Sequence, residues 1–236
     1  MKAVLFDMDG TLLGVDMYQV FLPGYMKRLG DFVAGRADTQ YFIKQILAAT
    51  DAMVTNEDPS MTNAEVFSRH FFGATGWKAE EWMPLFDQFY QEEFGKLQPL
   101  TKKEPYAAAA VNAVIDKGCD AVLATNPVFP LAAMQHRMRW GDFDKVPFRL
   151  ITSYENMHAC KPNPQYYLEI LAKIGCQPGE AMMVGNDVEE DLVASSLGMK
   201  TFLVINEYTI QRHATRKFEP DYQGTLQDFV ALIKQF

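Results

Sequence analysis

The 236-residue sequence predicts an α/β fold: a parallel sheet with helices on both faces, interrupted by an all-helical insertion. Three observations carry that reading. Beyond Tyr106, amphipathic helical stretches alternate with short apolar runs; residues 16–97 are helical in pattern, rich in aromatics and without a convincing strand; and a separate apolar run stands at the very start.

In chain order, Ala3, Val4, Leu5 and Phe6 form a continuous hydrophobic run suited to a strand buried on both faces, and Gly10 supplies the freedom a tight turn needs. Residues 16–29 read as a helix that Pro23 and Gly24 must kink or break. Ile43, Ile46, Leu47, Thr50, Met53 and Val54 follow helical spacing, as do Val66, Phe67, His70 and Phe71, and then Trp82, Leu85, Phe86, Phe89 and Tyr90. Thr62 followed by Glu65 is a capping box at the start of the helix around Val66. The lobe therefore holds four helices, and its aromatic stripes are expected to form its own core rather than a substrate pocket.

Further on, a helix over 107–115 is closed by Gly118, a strand covers 121–124, a helix starts near Pro130 and a strand covers 148–151. A helix over 166–174 is closed by Gly175, then come a strand at 182–184, a helix over about 190–197 ahead of Gly198, and a strand at 201–205. The first strand belongs to the same sheet. Residues 1–14 and 99–236 thus make a discontinuous Rossmann-like core, and 15–98 an inserted helical domain.

Composition narrows the function. The 48% hydrophobic content excludes disorder, and no stretch approaches the roughly 20 apolar residues of a membrane span. The start has no signal-like pattern, so a cytoplasmic protein without membrane attachment is expected. Cys119, Cys160 and Cys176 lack metal-ligand spacing and read as reduced. A net charge of -8 argues against a nucleic-acid partner. The one basic stretch, Arg212 to Lys217, reads as a solvated loop, and His70, His136, His158 and His213 are scattered without ligand spacing.

The chemistry gathers at strand ends. Asp7 and Asp9, two apart on a sharp turn, repel each other unless a cation stands between them, so they imply bound Mg²⁺ or a raised pKa. Asp and Gly also favour turns on conformational grounds alone, which is the plain alternative. Thr125 and Asn126 follow one strand, and Gly185, Asn186 and Asp187 follow another, with Asp191 beyond. Lys161 stands just before a helix, where a cation opposes the helix dipole unless an anion lies between the two. Thr125, Asn126 and Lys161 thus make a phosphate site on the same sheet edge as Asp7.

In these motifs the sequence resembles the haloacid dehalogenase superfamily of phosphohydrolases: Asp7-x-Asp9-Gly10-Thr11, Thr125, Lys161 and the acidic run Gly185 to Asp191 occur in the family's order across nearly the whole chain. The resemblance implies an Mg²⁺-dependent phosphatase of small phosphate esters, with residues 15–98 as a helical cap domain hinged near Leu13 and Gly14 and near Gln98 and Pro99. Asp7 would form an aspartyl-phosphate, and Asp9 would protonate the leaving alcohol and bind the metal through its backbone carbonyl. Thr125 and Lys161 would hold the phosphoryl group, with Lys161 also damping repulsion between Asp7 and the acids of the fourth motif. Relatives commonly have Asp after the fourth motif's glycine, whereas this chain has Asn186. Asn186 then offers an amide oxygen to the metal and Asp187 or Asp191 the charge, directly or through water, with Asp191 the more distant. Three enzyme or binding readings stay open beside it: a phosphosugar mutase, a silent metabolite binder, and a phosphonate-cleaving enzyme using a cap lysine among Lys27, Lys44, Lys78 and Lys96. A receiver-type signalling module is disfavoured by the chain length and the inserted lobe. Oligomeric state is not legible.

Overall fold

A computed structural model describes residues 1–211 and 218–235. The basic stretch at 212–217, with His213, lies outside them. The strands β1 (Ala3–Phe6), β4 (Asp120–Leu123), β5 (Leu150–Ile151), β6 (Ala181–Gly185), β7 (Lys200–Val204) and β8 (Tyr222–Gly224) form one parallel sheet in the order β5-β4-β1-β6-β7-β8. The two short strands β2 (Leu13–Gly14) and β3 (Lys102–Lys103) pair antiparallel in a separate ribbon. This ribbon ties together the two ends of the helical segment.

The central strand explains the sheet's position. Val4 and Phe6 face helices α5 (Ala107–Asp116) and α8 (Leu226–Ile233), packing with Val111, Val114 and Phe229; the Phe6 and Phe229 rings meet edge to face at 5.5 Å. Ala3 and Leu5 point the other way and pack with Tyr166 and Ile170 of α7 (Pro164–Ile174). All four residues are buried, so each side chain of β1 removes apolar surface from water whichever face it takes. Helix α6 (Leu131–Trp140) follows β4.

Between β2 and β3 lie α1 (Leu22–Val33), α2 (Thr39–Val54), α3 (Asn63–Thr75) and α4 (Ala79–Gln88), with π-helical turns at Met17–Phe21 and Phe89–Glu93 and a 3-10 stretch at Phe94–Leu100. The first helix differs from expectation. Pro23 sits in the first turn of α1, where a missing N–H is harmless, so the chain turns from π-helix to α-helix there and runs on to Val33. Phe42, Phe71 and Trp82 are buried among α2, α3 and α4, and Trp77 stacks on Trp82 at 4.1 Å between centroids. The capping box is formed: Thr62 N–H and hydroxyl both donate to Glu65 Oε2, at 2.7 and 2.9 Å.

Two core elements are shorter than the sequence suggested. Phe148 N–H turns back to Val146 O, so β5 begins only at Leu150. Instead of an α-helix over 190–197 there is a 3-10 stretch at Leu192–Leu197, because Glu189 and Glu190 are held in a loop by Asp187. Among the described residues no helix is long and apolar enough to cross a membrane, and Cys119, Cys160 and Cys176 are free thiols.

Candidate active site

Parallel strands direct the chain ends that follow them to one edge of the sheet. Asp7 follows β1, Thr125 lies just past β4, and Asn186 follows β6. The register aligns Phe6 with Leu123 on one side and Val184 on the other, which brings these three loops side by side. Ligand sites of open α/β sheets form at such edges.

Lys161, fully buried, stands between two carboxylates: Nζ donates to Asp7 Oδ1 at 2.8 Å and to Asp191 Oδ1 at 2.7 Å. Burial works against the ammonium charge, but Asp191 and Asp7 outweigh it and hold Lys161 well above its ordinary pKa. Burial also pushes the Asp191 carboxyl up to about 7, against the pull of Lys161. Lys161 thus relieves the crowding of Asp7 and Asp191 at this edge. Its place before α7 is answered by carboxylates of the protein itself.

Asp7 Oδ2 and Asn186 Oδ1 lie 3.3 and 3.0 Å from the buried Thr11 hydroxyl, whose single proton is shared between them. Asn186 is oriented from its other end, where Nδ2 donates to Tyr208 O at 2.7 Å. Gly10 has φ +80°, and a Cβ there would stand 2.3 Å from Asn186 Nδ2. Only glycine leaves Asn186 this place. Asp187 turns inward on its own loop: Oδ1 accepts from Glu189 N and Glu190 N at 2.8 and 3.0 Å, and its N–H donates to Asp191 Oδ2. The Thr125 carbonyl accepts from Tyr166 and Thr152 hydroxyls, both at 2.8 Å, and Asn126 Nδ2 donates to Glu190 Oε2 at 3.4 Å.

Asp9 has a partner that the sequence reading missed. Arg137 of α6, 1% exposed, forms an ion pair with Asp9 Oδ2, its guanidinium lying 5.6 Å from the Phe21 ring centre and 5.3 Å from that of Phe129. Burial pulls Arg137 down to about 9, with the Asp7 charge resisting. The sequence did hold a signal. Ala133, Met134, Arg137 and Met138 share the buried face of α6, and an arginine in such a stripe needs an anion.

The donors suit a hard divalent cation. Asp7 Oδ2 and Asn186 Oδ1 converge on one hydroxyl, and Asp9 Oδ1 is buried without a hydrogen-bond partner among the described residues. Among those residues no three His, Cys, Asp or Glu side chains gather as a metal cluster. A cation here would therefore draw on the Asn186 amide and on backbone oxygen beside the carboxylates.

The site opens into a cleft of about 460 Å³, lined by Asp7, Asp9, Thr125, Lys161, Asn186 and Asp187 at one end and by residues of the helical segment at the other. The aromatic stripes divide between two uses. Phe42, Phe71 and Trp82 form the segment's own core as expected, whereas Phe67, Phe86 and Tyr90 face the cleft. None of Lys27, Lys44, Lys78 or Lys96 lines it, and Lys161 is the only lysine among its described lining residues.

This sheet edge, with its aspartate turn, buried lysine and acidic loop, is that of a haloacid dehalogenase-like hydrolase. The family's sequence profile matches residues 1–196, and the chain belongs to that family. It is similar to YhcW of Bacillus subtilis, which carries a phosphatase name, at 29% identity over 145 residues; the match spans 61% of this chain and 62% of YhcW, so about three fifths of each. It is also similar to the pyrophosphatase PpaX of Bacillus velezensis, at 25% identity over 93% of this chain and 90% of PpaX. The crystal structure of a HAD phosphatase from Thermococcus onnurineus shares the fold, with a TM-score of 0.59 at 19% identity, covering 99% of this chain and 98% of that one.

Proposed function

We propose that this protein is an Mg²⁺-dependent phosphatase of small phosphate esters that works through an aspartyl-phosphate on Asp7. The observation that carries the proposal is the buried Lys161 bridging Asp7 and Asp191 at the sheet edge, beside the Asn186 and Thr11 oxygens. The phosphatase and pyrophosphatase names of YhcW and PpaX support it.

Asp7 attacks phosphorus, the bond from phosphorus to the alcohol oxygen breaks, and Asp9 gives that oxygen a proton. Water then attacks the aspartyl-phosphate, Asp9 takes up its proton, and phosphate departs with Asp7 restored. Thr125, Asn126 and Lys161 hold the transferring group, since phosphoryl transfer asks a protein mainly for positioning and charge neutralisation. Asp7, the Asp9 backbone carbonyl and Asn186 would hold Mg²⁺, with Asp187 and Asp191 adding charge behind them. When bound, Mg²⁺ offsets the charge on Asp7 and the phosphoryl oxygens. Arg137 acts through Asp9, fixing its carboxylate in orientation.

Residues 15–98 serve as the cap, closing over the cleft, excluding water and contacting the leaving group. A cleft so covered suits a small-molecule ester better than a nucleic acid or a folded protein. The free cysteines and the absence, among the described residues, of a helix able to cross a membrane accord with a cytoplasmic setting. The test is phosphate release from p-nitrophenyl phosphate with Mg²⁺ and with EDTA. Turnover that needs Mg²⁺ and disappears in Asp7→Asn is the expected result; an Asp7→Asn protein with full activity excludes Asp7 as nucleophile.

A further inference from the structure

The cleft has two chemically different ends. At the sheet edge it is dense with charge: Lys161 and six acidic side chains, Asp7, Asp9, Asp187, Glu189, Glu190 and Asp191. Every lining residue contributed by the helical segment is uncharged, and the wall is largely aliphatic, thioether and aromatic, with Leu22, Met26, Ile46, Phe67, Met83 and Phe86. Three hydroxyls on that wall, those of Tyr25, Tyr90 and Thr50, are engaged within the protein. Tyr25 and Tyr90 oxygens lie 2.9 Å apart, and Thr50 Oγ1 donates to Ile46 O at 2.9 Å. Burial pushes the Tyr25 phenol up to about 12, so it stays neutral.

Resting on the reading of the site as a phosphatase, we propose that its substrates are monophosphate esters of uncharged, predominantly apolar alcohols, alkyl or aryl. The phosphoryl end would sit on Lys161 and the Asp7 turn, and the alcohol would lie against the helical wall. At about 460 Å³ the cleft falls in the range of small-molecule sites. Among the described lining residues a leaving group with its own negative charge meets no free cation, because Lys161, the one cation among them, is already shared between Asp7 and Asp191. It would also face Glu189 and Glu190. A polyhydroxylated leaving group would strip its hydroxyls of water against a largely apolar wall on which Tyr25 and Tyr90 are bonded to each other and Thr50 to the Ile46 carbonyl. This separates the chain from the pyrophosphatase name of PpaX, whose substrate would leave as a second phosphate.

The experiment measures kcat/KM with Mg²⁺ for ethyl, butyl, hexyl and octyl phosphate and for phenyl phosphate, against glycerol 3-phosphate, glucose 6-phosphate and inorganic pyrophosphate. The expected result is a rise of about fourfold per methylene that reaches the wall, with every polar or charged substrate below hexyl phosphate. The alkyl and aryl arms decide which shape fits. Met26→Lys, at a half-buried wall position of α1, is expected to flatten the chain-length series. A flat series in the wild type, or pyrophosphate or glucose 6-phosphate as the best substrate, overturns the proposal; so does an unchanged slope in Met26→Lys.

Calorimetric titration of ethylphosphonate and octylphosphonate into the wild-type protein with Mg²⁺ keeps the two readings apart. Octylphosphonate binding at least tenfold tighter, with no ester turned over, would uphold the apolar cleft and remove the phosphatase. Esters turned over without a chain-length slope would leave the phosphatase and remove the apolar preference. Neither turnover nor chain-length-dependent binding overturns both.

Discussion

Arg137 makes the sharpest case at the residue scale. Its guanidinium is out of water between two aromatic rings, and Asp9 is the carboxylate that answers it. Methionine keeps much of the volume and packs on the same rings, but leaves Asp9 without its orienting partner. Arg137→Met should therefore lower kcat by about 10- to 100-fold, as loss of a residue that orients a reacting group does, with KM nearly unchanged. Steady-state kinetics on the folded variant check this; an equal fall in kcat/KM carried wholly by KM would instead mean that Arg137 binds substrate. The contrast with Asp7 and Lys161 is one of legibility. Those two announce themselves by type and by place after a strand or before a helix, whereas Arg137 lies mid-helix and its meaning depends on which face of α6 is buried.

Elements repeat that contrast. Helix α3 was readable because its cap is local: Thr62 and Glu65 are three apart, and their reciprocal hydrogen bonds need nothing outside the turn. Thr62→Ala should destabilise the fold by about 1 kcal/mol, measured by denaturant unfolding. The cap also has an acid limit. The Thr62 N–H, then its hydroxyl, hold the Glu65 carboxyl below its ordinary 4.5. A folded-state pKa below the unfolded one stabilises above the unfolded value and is lost as pH falls through the folded one. The difference between wild type and Thr62→Ala should therefore shrink below pH 4.5, as unfolding at pH 7 and in that acid window would reveal. The stretch after β6 was less readable. Acidic residues there suggest a helix N-terminus, yet the Asp187 carboxylate draws Glu189 N and Glu190 N into a loop and delays the helical turn to Leu192.

For the whole molecule, the helical segment at 17–100 and the sheet edge share one cleft, and two acids of that edge, Asp7 and Asp191, share one lysine. Mg²⁺ bound among Asp7, Asp9 and Asn186 in the folded state alone would stabilise the fold by about 2.7 kcal/mol at a hundred times its Kd. Thermal unfolding should show Tm rising with Mg²⁺, returning with EDTA, and responding weakly in Asn186→Ala. A Tm indifferent to Mg²⁺ in the wild type would remove the cation from the folded site.

By itself the sequence determined the parallel α/β sheet with an all-helical segment between its first two strands, and the four motifs at the sheet edge. Periodicity and strand-end placement are local properties, set by which faces can leave water. Tertiary structure alone decided the rest. It chose Asp191 among the acids of the fourth motif as the second partner of Lys161, joined Arg137 to Asp9, and turned Phe67, Phe86 and Tyr90 toward the cleft while Phe42, Phe71 and Trp82 closed the segment's own core. Those outcomes depend on charges and apolar faces far apart in the chain finding one another in a space without water, where an unpaired charge costs most.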